Sequence, residues 1–205
     1  MIKLLSFEQA KFLIIFGNAL YCFFDKLTEP FTKPYFIKGI SAKAFAIANA
    51  SDVIVTAGLL SILSFHSARV ICKKHFGWIL MAHSILFAIF NWPGLFSLEF
   101  QFIGWSFLAA FTNRVWDLIM LFILYDFMCK DTIAGYHTKW RAIGKWGAVA
   151  GSGIAVAIIT ANILTVQQAI LLRVTFGTVY ALSDFYAALS LQRGAENGTI
   201  KTLEG

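Results

Sequence analysis

Two stretches of this chain, residues 77–98 and 146–172, contain no Asp, Glu, Lys or Arg. Crossing the hydrocarbon of a bilayer takes about 20 consecutive apolar residues in a helix, and each stretch reaches that length. The rest of the chain resembles them. Hydrophobic residues make up 59% of the 205 residues and charged residues 14%, with a mean hydropathy of +0.71, whereas a soluble domain carries about 25% charged residues. The pattern predicts an all-α integral membrane protein with little mass outside the lipid.

Six long apolar segments are expected as helices: Phe7 to Thr28, Ala42 to Phe65, Gly77 to Phe90, Phe100 to Phe127, Ala142 to Ile163 and Ala169 to Leu191. Glu29-Pro30 and Lys33-Pro34 kink or end the first, because proline removes a helical donor and clashes with the preceding turn. Asn91-Trp92-Pro93-Gly94 makes a turn. Residues 1–191 thus form one six-helix domain and 192–205 a polar tail. The run from Phe12 to Phe24, behind Lys3 and Lys11, has the length of a secretory signal core. No small-x-small cleavage site follows, and the run continues into Asp25-Lys26, so a retained first helix is expected.

Basic residues set the orientation. Eleven of the seventeen Lys and Arg fall in the amino terminus, the 2–3 and 4–5 loops and the tail, four on the opposite side, and Arg114 and Arg173 within helices. The positive-inside rule then makes both termini cytoplasmic, and the net charge of +6 needs no nucleic-acid partner.

Charges inside the apolar segments carry the functional expectation. A charged side chain at mid-bilayer costs about 2.5–3.5 kcal/mol on insertion scales and persists where it faces a bundle interior or a watery cavity. Asn18, Cys22, Asp25 and Glu29 share one face of the first helix, and Asn49, Asp52 and Thr56 one face of the second. Arg114 and Asp117 lie three apart near the middle of the fourth and can pair. The sixth carries Arg173, Gly177, Tyr180 and Asp184. Measured along the expected helices, Asp25 lies toward the outer end of its helix and Asp184 toward the cytoplasmic end of its own, away from the others. Asp25, Asp52, Arg114, Asp117 and Asn18 are the expected solute and proton pathway, with Arg114 holding an acidic or strongly polar solute or setting the protonation of Asp117 or Asp25. Ion bridges that only fix helix packing are the plainer reading of the same residues. Gly144, Gly147 and Gly151 have the small-x-x-x-small spacing of close helix packing.

Other chemistries find little support. Cys22, Cys72 and Cys129 form no C-x-x-C pair, so neither a zinc site nor a disulfide framework is expected. Of His66, His75, His83 and His137, only His83 sits clearly inside a helix, whereas a b-type haem needs two axial ligands at matched depth. No metal or other cofactor is expected. Paired zinc-ligand histidines, a Gly-x-Ser-x-Gly elbow and an Asp-rich lipid-head motif are all missing. Ser152, in Gly-Ser-Gly, is the one candidate nucleophile, and no enzyme activity is expected.

Six helices, a basic 2–3 loop with Arg69, Lys73 and Lys74, and polar faces on helices 1 and 4 together resemble the amino-terminal half of a major facilitator superfamily transporter. Arg114 stands where that family's helix 4 arginine does, with Asp117 and Leu118 in place of its Gln-Gly pair. Gly147 and Gly151 match helix 5 glycines, with Ser152 in place of a proline. Lys139-Trp-Arg-Ala-Ile-Gly144 is similar to the family's approach to helix 5, whereas its Asp-Arg pair in the 2–3 loop has no counterpart. The resemblance implies half of a major-facilitator bundle moving a small polar, anionic solute by alternating access, as a facilitator or by symport with protons. Members of that family usually have twelve helices, so a missing second half or a homodimer is the expected partner besides the lipid bilayer. A bacterial inner membrane is the expected location. A non-transporting accessory subunit, its polar stripes facing another membrane protein, is the competing expectation, and a membrane-embedded enzyme a more distant one.

Overall fold

The computed structural model describes residues 4–66, 75–92, 94–111 and 130–198. Among these residues there are six helices and no strand: α1 (Phe7–Gly39), α2 (Ala42–Ser64), α3 (Phe76–Asn91), α4 (described over Leu98–Phe111), α5 (Lys130–Ala161) and α6 (Val166–Glu196).

The helix starts have local causes. Ser6 caps α1 by accepting the Gln9 N–H at 3.3 Å, while the Gln9 side chain accepts the Ser6 N–H at 3.0 Å. Thr165 and Gln168 form the same reciprocal box at α6, and Ser41 caps α2. Each satisfies donors that a helix start would otherwise leave open. Asn162, in the left-handed region at φ 50°, turns the chain out of α5.

Three helices run further than the sequence predicts. α1 continues through Pro30 and Pro34 to Gly39 and does not end at Thr28. Contacts hold it on both sides of the prolines: Glu29 bridges Lys26 and Lys33, Arg173 donates to Thr32, and the Phe36 ring lies 5.8 Å from Phe102. α5 begins at Lys130, so the basic stretch expected to be a loop is helical there; the Tyr136 hydroxyl donates to the Lys11 carbonyl at 3.1 Å. α6 extends from Val166 to Glu196. Gln192 therefore belongs to the helix and not to a polar tail, and its side chain accepts the Gly77 N–H at 3.1 Å.

The order of contacts fixes helix directions. Asn18, Ala19 and Phe23 of α1 meet Gly144, Gly147 and Gly151 of α5, so these two helices are parallel. Tyr21 and Asp25 meet Tyr180 and Arg173, so α6 returns antiparallel to α1. Gly77, Phe87 and Asn91 of α3 meet Gln192, Tyr180 and Gly177, again antiparallel. Gln101 donates to the Phe90 and Trp92 carbonyls, and His83 reaches the Leu108 carbonyl, which sets α4 against α3. Ser51 donates to Ser106, and the Ser41 N–H to Glu99, which sets α2 parallel to α4. Successive helices thus alternate in direction, with α1 and α6 at the centre.

The interior holds apolar clusters together with several buried polar side chains, and many large apolar side chains face outward. Thr28, Thr32, Ser51, Asn91, Gln101, Asp184 and Ser190 are buried, while Trp146 is 72% and Val53 70% exposed. Two helices are long and apolar enough to cross a membrane, α2 and the 134–161 part of α5, and only 11% and 17% of their apolar windows are buried.

Candidate functional site

The interior polar groups form two tiers between α1 and α6. In the first, Arg173 Nη2 lies 3.1 Å from Asp25 Oδ1, and Nη1 donates to Thr32 Oγ1 at 3.0 Å. Asp25 and Thr32 are seven residues apart, two helical turns, and so share a face. The guanidinium sits 4.3 Å from the centroid of the Trp105 ring of α4, within the range of a cation–π contact. Three helices thus converge on one cation. The Arg173 and Asp25 side chains keep 13% and 19% of their surface exposed, so the pair is sheltered but reachable.

The second tier is aromatic. The Tyr21 and Tyr180 rings stack at 4.8 Å, and Phe87 of α3 meets each edge-on, at 5.4 and 5.6 Å. One turn further along α6 lies Asp184, 2% exposed. Tyr180 hydrogen-bonds to its carboxyl, and Oδ1 has no hydrogen-bond partner. Gly17 of α1 borders it: a Cβ there would stand 3.9 Å from Asp184 Oδ1 and 3.5 Å from Tyr180 Cδ2. At about 1.5 Å per residue, Arg173 and Asp184 are some 16 Å apart along the helix.

The expected pathway residues are distributed unequally over this frame. Asp25 lies near the middle of α1, not toward its end, because the helix continues past the prolines. Its partner is Arg173, which the sequence reading left among the ordinary helix residues. Asn18 binds α1 to α5, its Nδ2 donating to the Trp140 carbonyl at 3.4 Å and its Oδ1 accepting from Cys22 Sγ at 3.6 Å. Asp52 is half-buried on α2 beside Ser51, while Asn49 on the expected stripe is exposed. Arg114 and Asp117 lie outside the described residues. Asp184, expected at the end of its helix, is three residues past the midpoint of α6.

Both omissions have a sequence signal. α6 continues past Leu191 to Glu196, where no proline stops it, and that extension moves Asp184 inward. An antiparallel neighbour then brings the early part of α6, with Arg173, to the later part of α1.

The glycines of α5 make the closest helix contact. A Cβ on Gly144 would lie 2.6 Å from Asn18 Nδ2, and one on Gly147 2.6 Å from the Ala19 carbonyl oxygen; one on Gly151 would overlap the Phe23 carbonyl. Past this contact α1 and α5 open into a groove of about 640 Å³ lined by Lys26, Glu29, Lys33, Lys38 and Ser152. The Ser152 hydroxyl makes no hydrogen bond among the described residues. His83 Nε2 lies 3.2 Å from the Leu108 carbonyl, and among the described residues no three His, Cys, Asp or Glu converge on a point that could hold a metal.

No family model, curated protein or solved structure matches this chain.

Proposed function

We propose that this chain is a multi-pass membrane protein, six helices with both termini cytoplasmic, and that it is a major-facilitator-like transporter carrying a small polar, anionic solute by alternating access. The observation that carries the reading is the Asp25–Arg173 pair at the meeting of α1, α4 and α6, inside a bundle whose outward face is apolar. A core helix of a soluble protein is mostly buried; α2 and α5 are not. The up-and-down helix directions fit a chain that crosses a bilayer repeatedly.

The chemistry follows from the arginine. Its planar fork binds carboxylate or phosphate through two parallel donors. With no solute the fork is occupied by Asp25 and Thr32. An incoming anion competes with Asp25 for Nη2 while the Trp105 face keeps the guanidinium in place. The α1–α6 contact loosens as Asp25 is displaced, which couples occupancy to movement of the two central helices. That differential contact is what a solute needs in order to shift a conformational equilibrium.

The test is reconstitution of the full chain in liposomes and measurement of the uptake of radiolabelled small carboxylates, phosphate esters and neutral sugars. Anions are expected to show saturable uptake that Arg173→Ala abolishes. Uptake of neutral sugars alone, or anion uptake unchanged in Arg173→Ala, would sink the assignment.

A second reading is a half-bundle that works only beside another membrane protein. It is favoured by Gly58 on α2 and Gly153 on α5, where an added Cβ meets nothing; small outward residues let another helix approach closely. Native mass spectrometry from mild detergent separates the readings. A homodimer supports two copies enclosing one pathway, and a monomer without uptake supports the accessory role.

A further inference from the structure

Two carboxyl groups lie in the central helices, and their surroundings differ. Asp25 has a cation on it. Asp184 has none among the described residues: its carboxyl is 2% exposed, Oδ1 has no hydrogen-bond partner, and no ion pair there includes it. The titratable groups that face it are tyrosines. Tyr180 hydrogen-bonds to it from its own helix, Tyr136 of α5 packs in one buried cluster with Ala187 and Ala188, and Tyr21 of α1 stacks on Tyr180. α3, also packed on α6, contributes Phe87 to this tier, and its His83 is turned to the Leu108 carbonyl of α4. An ionised carboxylate in such a place would have no counter-charge among the described residues, and proteins avoid that by binding a cation or neutralising the group. The space between Gly17, Tyr180 and Asp184 is tight, and it offers too few oxygens for a metal ion's coordination shell. A proton needs only one.

We propose that Asp184 is the proton-binding seat of this protein, a site separate from the Asp25–Arg173 pair and about three helical turns from it on α6. The inference rests on the transport reading for its purpose, since it supplies the coupling ion, but not for its chemistry. The arrangement divides the labour: the solute anion competes at Arg173, while a proton loads and leaves at Asp184. Tyr21 and Tyr180 fill the space between the tiers, so that movement of α1 against α6 alters both at once.

The test uses dicyclohexylcarbodiimide, an apolar reagent, on the full chain in liposomes. It takes up a carboxylic acid: the acid's proton moves to one carbodiimide nitrogen, the carboxyl oxygen bonds to the central carbon, and the adduct rearranges to a stable N-acylurea. Peptide mapping is expected to find the adduct on Asp184 and not on Asp25. Its yield should fall about tenfold per pH unit once the proton leaves. The isosteric Asp184→Asn should remove the adduct and also the protonated-acid carbonyl band in the infrared spectrum, with the helical circular dichroism unchanged. Adduct on Asp25 in place of Asp184, a yield indifferent to pH, or absence of both adduct and infrared band would overturn the proposal. If the labelling holds but no solute is taken up, with or without a pH gradient, the proton seat stands and the transport reading falls.

Discussion

At the scale of single residues, the interior is organised by what each polar group can and cannot satisfy. Arg173 distributes its donors over Asp25 and Thr32 and lays its plane on Trp105, a combination an ammonium group cannot copy. Arg173→Lys should therefore lose one of the two hydrogen bonds and the stacked contact, while Arg173→Ala leaves Asp25 without its cation. Breaking a fully buried pair costs about 3–5 kcal/mol. With both side chains partly exposed, about 2–3 kcal/mol is expected for Asp25→Asn or Arg173→Ala. The double variant should cost less than the sum, since it leaves no uncompensated charge. Unfolding in mixed detergent micelles measures all three; additive losses would mean that the two residues do not act as a pair. Glu99, at the surface end of α4, gives a pH effect of definite sign. Accepting hydrogen bonds from Ser41 holds its carboxyl below the ordinary value of 4.5. The contact is fully present above that value and is lost as pH falls through the lowered one. The protection of the Ser41 amide, its exchange relative to the intrinsic rate at the same pH, should accordingly fall in acid, and in Glu99→Gln it should lose most of that pH dependence.

At the scale of elements, the α1–α5 contact is made backbone to backbone, and glycine is what permits it. Gly151→Ala drives a methyl into the Phe23 carbonyl and Gly147→Ala one toward Ala19. Overpacking of that kind typically costs about 1–3 kcal/mol. Gly153→Ala, two positions along the same helix, meets nothing and should gain up to about 1 kcal/mol from helix propensity. Equal responses at Gly151 and Gly153 in thermal unfolding would show that the contact is not this close. The spacing of these glycines was legible in the sequence, because small residues at every third or fourth position mark one helix face whatever lies opposite. Helix lengths were less legible. Proline is a local signal for a stop, yet α1 passes two of them because Lys26, Glu29, Lys33, Thr32 and Phe36 are all engaged around them, and those partners come from elsewhere in the chain or from the helix itself. The charged stretch at the start of α5 reads as loop by hydropathy, but Tyr136 and Trp140 anchor it on α1. The first error displaced the estimated depth of Asp25, and ending α6 at Leu191 displaced that of Asp184; together they concealed the pairing with Arg173 and the isolation of Asp184.

At the scale of the whole molecule, the alternating helix directions have a consequence that can be read without knowing the solute. The α1–α2, α3–α4 and α5–α6 turns, around residues 40, 95 and 163, lie at one end of the bundle; the start of α1, the start of α3 and the end of α6 lie at the other. In the sequence, basic residues are concentrated toward the second end, which the positive-inside rule would put in the cytoplasm of a bundle that crosses a membrane. If six helices cross the bilayer, then single cysteines placed in a background with Cys22, Cys72 and Cys129 replaced should divide into two classes. Leu95→Cys and Ile163→Cys, in the first end and 59% and 69% exposed at the native residue, should react with a membrane-impermeant maleimide in intact cells. His75→Cys and Asn197→Cys should react only after permeabilisation. The arrangement tolerates no partial agreement. Because α3 to α6 are joined by close contacts of fixed polarity, a reversed result at one turn would require the bundle to lie in the interface or to cross fewer times. The interior pair would then lose its access to both aqueous sides, and with it the basis for alternating access.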